Sequence, residues 1–239
     1  MSLPIWTRRA VATETRPLKL RLWRAVEAQH LVATMALVDD AGEQALLEDI
    51  LEASKPPLPA ECRHLHYLLH TPFRYPSPVA SRFRRAFDAG VWYGAEQRAT
   101  SLAELGWWRW RFVADSDGLE RLPPVAHTVF RAQVRGPALD LLVAPWIQAR
   151  ERWMAPDDYE ACHALAERAR DAGIDLIRYA SVRDPQHGAC AAVLACRAFD
   201  GGLLDEQNWW LTVTAAGASW TRFGGDAVAE QSALSFAFA

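Results

Sequence analysis

The chain has 239 residues, 51% of them hydrophobic and 23% charged, which suits one large globular domain or two small ones with a sizeable core. A net charge of -3 excludes bulk attraction to nucleic acid or to an anionic membrane, so any basic surface is local. The opening MSLPIWTRRA lacks the apolar run of a signal peptide, and no later stretch approaches a membrane span; a soluble, cytoplasmic protein is expected.

In chain order, residues 17–38 mix apolar runs that fit helix or strand equally. Asp39, Asp40 and Gly42 break that pattern and offer a cap. Residues 43–53 then form an amphipathic helix with Ala45, Leu46, Leu47, Ile50 and Leu51 on one side. The prolines of SKPPLP end it, because proline lacks an N–H and clashes with the preceding turn. Residues 60–70 resume as a helix, and 71–78, punctuated by Pro72, Pro76 and Pro78, run extended. Gly90-Val91-Trp92-Tyr93-Gly94 is a short strand. Thr100 or Ser101 caps a helix reaching about Ala114, and 116–124 is a loop. Strands are expected over 126–134 and 138–144. A helix from Asp157 or Asp158 to Ala172 ends at Gly173 in the C′ position. Strands over 174–179 and 189–199 flank a polar loop, and 208–214 with 219–223 make a hairpin; the tail from Gly224 has no pattern. Helices lead and strands follow, so the class is α+β with a mostly antiparallel or mixed sheet. With no flexible linker, residues 1–239 make one domain: a helix-rich part over about 1–70 and a core over about 71–223.

Cys62, Cys162, Cys190 and Cys196 form no CxxC pair, which points to buried, reduced thiols rather than zinc or disulfides. No phosphate loop, dinucleotide fingerprint or nucleophile elbow is present. His64, His66 and His70 lack an accompanying glutamate motif, and no metal site is expected.

The chemistry concentrates in SRFRRAFDAGVWYGAEQRATSLAELGWWRW, residues 81–110. Arg82, Arg84 and Arg85 can present cationic forks to an anion, or form a solvated charged face. Tyr93 fits a ligand wall and equally an ordinary strand aromatic. Glu104 closes an S-x-x-E pattern with Ser101, a capping box, so local sequence balances it between helix cap and functional carboxylate. Ser181, after the strand ending at Tyr179, reads locally as a turn residue.

These residues fall in an ordered set of motifs: LWRAVEAQH, SKPPLP, LHYLLHTPFRYPSP, SRFR, GVWYGAE, TSLAEL and IRYASVRDP. Together they resemble the RES-domain family, NAD-consuming toxins of bacterial toxin–antitoxin pairs, with the ADP-ribosylating subgroup nearest. The resemblance implies a fold similar to the ADP-ribosyltransferase toxins, a split, mixed or antiparallel sheet with flanking helices. It implies NAD as substrate, cleaved at the nicotinamide–ribose bond, with ADP-ribose passed to a protein target. Water or phosphate as acceptor, giving a glycohydrolase or phosphorylase, is the alternative, and an inactive binding module the second. By the same resemblance Glu104, Arg82, Tyr93 and Ser181 are the catalytic set. The anion ligands are Arg82, or Arg84 in its place, with Lys55 and Arg74 as further candidates. It also implies a helix-turn-helix antitoxin that covers the site and binds operator DNA itself, whereas this chain has no recognition motif of its own.

Overall fold

The computed structural model describes residues 8–28, 40–75, 77–223 and 233–238. A short helix α1 (Arg8–Thr13) leads into strand β1 (Arg16–Glu27). Helices α2 (Ala41–Ser54) and α3 (Tyr67–Arg74) precede β2 (Trp92–Ala95) and the long α4 (Arg98–Ala114). Then come β3 (Arg121–Asp140), the single turn α5 (Arg150–Trp153) and α6 (Glu160–Asp171). The chain closes with β4 (Leu176–Ala180), β5 (Ala189–Val193), β6 (Phe199–Thr214), β7 (Gly217–Arg222) and β8 (Ala233–Phe236).

The eight strands form one mixed sheet in the order β1-β2-β5-β4-β3-β6-β7-β8, with β1 also paired to β3. That extra pairing is extensive: twelve residues of β1 run antiparallel to β3, from Arg16 opposite Ala138 to Glu27 opposite His127. On the far side β1 meets β2 at a single pair, Trp23 opposite Ala95. The β3–β4 pairing is parallel and confined to Ala138–Asp140 against Leu176–Arg178. The sheet is therefore split, with a five-stranded antiparallel part and a β2–β5–β4 part joined at two narrow contacts. The split, flanked by helices, is the α+β architecture expected from the resemblance.

Three apolar clusters hold it. Strand β5 is buried on both faces: Cys190 and Ala192 join one cluster with Trp146, Trp153 and Leu165, while Ala191 and Val193 join another with Leu22, Trp92 and Phe130. The two-residue period of a strand produces this alternation. The third cluster packs Leu102, Trp107 and Trp110 of α4 onto Val129, Trp209 and Trp220 of the antiparallel part.

Several local expectations are corrected. The open choice over 17–38 resolves to strand as far as Glu27; residues 29–39 lie outside the described set. The first 70 residues thus supply a central strand as well as helices. Residues 60–62 form a 3-10 turn, and the helix starts at Tyr67, with His66 Nδ1 accepting from Leu68 N at 3.3 Å. It continues through Pro72, where an extended chain was expected. Proline deprives the Leu68 carbonyl of its helical donor, and the Trp92 indole Nε1 donates to that oxygen instead, at 3.3 Å. The two strands expected between 126 and 144 are one continuous β3 that begins at Arg121. The run 189–199 breaks after Val193, and β6 extends back to Phe199. Helix α6 begins at Glu160 and ends as expected at Gly173, whose φ of 71° is the left-handed conformation glycine adopts freely.

The cysteine expectation fails for half the set. Cys62, in the turn before α3, and Cys196, in the turn before β6, form a disulfide with Cα atoms 5.4 Å apart; Cys162 and Cys190 are free and buried. The partners lie 134 residues apart, so spacing carried no trace of the pairing. The cysteine argument for a reducing compartment loses these two members. No described helix is long and apolar enough to cross a membrane. A thiol titration of denatured, unreduced protein should count two free cysteines. Removing the crosslink with Cys62→Ala should lower stability by about 2–4 kcal/mol in a denaturant melt; four titratable thiols in the wild type would contradict the pairing.

Candidate active site

Where β1 and β2 part beyond Trp23, a cavity of about 270 Å³ opens between the two parts of the sheet and α4. Its walls include Arg24 and Ala25 of β1, Tyr93 to Ala95 of β2, and Ser101, Glu104, Leu105 and Trp108 of α4. Ser81, Arg82, Tyr159, Tyr179, Arg183 and Cys190 complete it. Four residues nominated from sequence converge here: Arg82, Tyr93 and Glu104 line the cavity, and Ser181 touches Glu104.

The closest contact is between Ser181 and Glu104. Ser181 Oγ donates to Glu104 Oε1 at 2.5 Å, bridging the loop after β4 to the middle of α4. The same oxygen accepts from the backbone N–H groups of Arg183 at 3.2 Å and Asp184 at 2.9 Å. Its hydroxyl proton is thereby directed at the carboxylate. Of the two local readings of Glu104, the capping box does not form: α4 starts at Arg98, not at Thr100 or Ser101, with Gln97 as its cap, and Ser101 lies inside the helix with its N–H bonded to Gln97 O. Glu104 is released from that structural role and aimed into the cavity.

A second pair, one helical turn away, holds the first in register. Thr100 Oγ1 donates to Asp184 Oδ2 at 2.7 Å, and both residues are buried. Asp184 also accepts from the N–H groups of Gln186 at 3.0 Å and Gly188 at 3.2 Å. Positions 100 and 104 share a helix face by the four-residue rule, so Thr100 anchors the serine loop and Glu104 receives its serine. Gly188 permits the approach, because a Cβ there would sit 2.1 Å from Thr100 Oγ1. Neither Asp184 nor Thr100 stood out in the sequence as more than a turn acid and a helix cap.

Tyr93 is anchored rather than free. Its hydroxyl bonds Ser81 Oγ at 2.8 Å and accepts from Phe83 N at 3.0 Å, so the ring braces the 81–84 turn while forming part of the wall. Arg82 is buried; its Nη1 donates to the carbonyls of Trp153 and Ala155, each at 2.9 Å, and its guanidinium lies over the Tyr159 ring at 4.7 Å. Arg183 stacks 3.5 Å over Trp107 and donates to Pro156 O at 2.6 Å. Sequence reasoning missed Arg183 and Arg24 as cavity cations; the first sits two residues after the candidate serine, the second inside the LWRAVEAQH motif.

The remaining nominated cations lie elsewhere. Arg84 donates to the carbonyls of Ser77 and Val79 and does not line the cavity. Arg74 and Lys55 both pair with Glu52, each at 2.7 Å, and Arg74 also donates to Pro56 O. Arg74 ties the end of α2 to α3, while the Lys55 pair is local to the end of α2. Among the described residues no His/Cys/Asp/Glu cluster suited to a metal is found.

Burial pushes the Glu104 carboxyl above the ordinary carboxylate range, against the opposing pull of the Ser181 hydrogen bond and the Arg82 and Arg183 charges. The cleft thus brings one carboxylate, bonded to a serine, together with the guanidinium groups of Arg24, Arg82 and Arg183. The family model described as RES domain matches residues 58–214, and the chain belongs to that family. Among solved structures, one chain of the M. tuberculosis MbcT-MbcA toxin-antitoxin complex is similar at 15% identity. The match covers 87% of this chain and 92% of that chain, with a TM-score of 0.49. No curated protein matches significantly.

Two outcomes follow. Thr100→Val should cost about 1.5–3 kcal/mol in a urea melt, the value of a hydrogen bond to a charged acceptor, while Thr100→Ser should stay near wild type. Because its folded-state pKa is raised, Glu104 favours folding most at low pH. That contribution declines as pH rises from the unfolded value, about 4.3, through the higher folded one. Glu104→Gln should therefore melt above wild type at neutral pH, with the gap closing toward pH 4; a lower melting temperature at pH 7 would contradict the assignment.

Proposed function

We propose that this chain is a toxin that cleaves the nicotinamide–ribose bond of NAD. The observation that carries the proposal is the 2.5 Å bond from Ser181 to Glu104 at the base of the cleft, in a chain of the RES-domain family. A cavity of about 270 Å³ accepts the nicotinamide–ribose end of a dinucleotide, being just below the ~300–1,000 Å³ of sites that enclose larger ligands.

As the C1′–N bond breaks, its electron pair leaves with nicotinamide and positive charge spreads over C1′ and the ring oxygen. An ionised Glu104 stabilises that charge, and a preorganised carboxylate does so without reorientation. Ser181 serves two ends: its hydrogen bond favours the ionised form, and its fixed position orients the carboxylate and the ribose hydroxyl beside it. The Tyr93 ring offers a face for the departing nicotinamide, held by its two hydroxyl contacts. Arg82 and Arg183 bias the cleft toward anions and help keep Glu104 charged.

The acceptor then forms the new bond at C1′ and gives up a proton. We assign it to a side chain of a protein target, so that the toxin is an ADP-ribosyltransferase, on the resemblance of the whole motif set to the ADP-ribosylating subgroup. Water or phosphate is the second reading, and the three guanidinium groups on the cleft walls support the phosphate form of it. A helix-turn-helix antitoxin covering the cleft completes the proposal, with the whole chain acting as one cytoplasmic domain.

Glu104→Gln should retain NAD binding and lose about two orders of magnitude in turnover, the usual cost of removing a preorganised electrostatic partner. Near-wild-type turnover would remove Glu104 from the mechanism. The acid limb of the wild-type pH–rate profile should lie above the ordinary carboxylate range, and Ser181→Ala should move it higher still, since the lost hydrogen bond favours the ionised form. Mass analysis of products from NAD, with and without phosphate and with and without cell extract, identifies the acceptor.

A further inference from the structure

Helix α2 turns its apolar stripe to solvent. Leu46, Leu47, Ile50 and Leu51 recur at three- and four-residue spacing and so share one face. Leu46 is 61% exposed, Ile50 57% and Leu51 41%, while Leu47 is half-buried. This pattern is the one that ordinarily seats a helix on a core. Yet among the described residues none of the three apolar clusters includes these side chains, and none of them lines the cleft. A polar tie secures the C-terminal end: Glu52 pairs with Arg74 of α3, which also donates to Pro56 O just beyond. At 14 residues α2 is near the length at which a helix standing alone is marginal in water, where packing of the apolar face supplies the stability. A contiguous apolar patch left open in this way marks an interaction surface.

The charges around the stripe narrow the choice of partner. The segment contains acidic residues, among them Glu43, Asp49 and Glu52, and no lysine, arginine or histidine. Glu43 stands one turn before Leu46 and Leu47, and Asp49 stands beside Leu46 at three-residue spacing. Lys55, just past the helix, is engaged by Glu52 at 2.7 Å. A second copy of α2 would set acids against acids, which disfavours a symmetric pair. A helix with a leucine-rich face flanked by lysine or arginine would cover the stripe and meet the carboxylates.

We propose that the Leu46, Ile50 and Leu51 face of α2 is a docking surface for a cationic amphipathic helix of a partner protein, separate from the cleft. The surface is independent of the NAD reading and stands or falls without it.

Fluorescence anisotropy with three labelled peptides tests it: an amphipathic helix of leucine and lysine, its leucine–glutamate counterpart, and a lysine–serine peptide of the same charge without the apolar face. The leucine–lysine peptide should bind the wild-type protein at least roughly tenfold more tightly than either of the others. The double variant Leu46→Ser, Ile50→Ser should weaken that binding about 10- to 100-fold. Reversing the flank with Glu43→Lys and Asp49→Lys should turn the preference toward the leucine–glutamate peptide. All four positions are exposed, so melting temperatures should stay near wild type. The charge reversal also keeps the test available if the serine variant fails to fold. Equal binding of the lysine and glutamate peptides, or binding that the serine variant leaves unchanged, overturns the proposal. A wild-type dimer in sedimentation analysis that the serine variant dissociates assigns the face to a second copy and overturns it as well.

Discussion

The candidate site depends on one short hydrogen bond across the molecule, from Ser181 after β4 to Glu104 in α4. It joins groups 77 residues apart. Glu104 is drawn out of the helix-capping role its neighbours suggest, and Ser181 is held by two backbone N–H groups that leave its proton one direction to point. The Thr100–Asp184 pair fixes the same two elements one turn away, so loop and helix meet in a single register. Burial raises the pKa of this carboxyl, while the Ser181 hydrogen bond and the charges of Arg82 and Arg183 pull it the other way.

The split in the sheet is what makes room for that pair. Strand β1 is committed along twelve residues to β3 and touches β2 at one pair, so the two parts of the sheet diverge beyond Trp23. Backbone groups at the divergence need other partners, and the Tyr93 carbonyl finds the Arg24 guanidinium. The cavity is therefore a consequence of topology, walled on one side by a helix that packs its own Trp107 and Trp110 in one cluster with Trp209 and Trp220 of the sheet. A rigid, aromatic-packed support suits a site whose working distances are fixed to fractions of an ångström.

Arginine occurs here in two physical roles that composition cannot separate. Arg82 and Arg84 are buried and directed at backbone carbonyls, where they hold the 153–155 and 77–79 segments. Arg74 is similarly absorbed by Glu52 and Pro56. Arg24, unremarked in the sequence, donates to the Tyr93 carbonyl and lies over the Trp92 ring. Adjacent residues, Arg82 to Arg85, read as one cationic cluster along the chain and point to unrelated partners in space.

The sequence by itself determined the α+β class, α4, the end of α6 at Gly173 and the β6–β7 hairpin, because these follow from local periodicity and turn chemistry. Through the order of its motifs it also singled out Glu104, Tyr93, Arg82 and Ser181 as a set. What only the tertiary structure decided was every feature resting on contacts between distant residues. These include the Cys62–Cys196 crosslink, the helix that continues through Pro72 because Trp92 supplies the missing donor, and the Asp184 anchor. Whether Glu104 caps a helix or faces a cleft was likewise undecidable from its neighbours, since S-x-x-E is compatible with both. The answer came from a serine brought to within 2.5 Å by the fold.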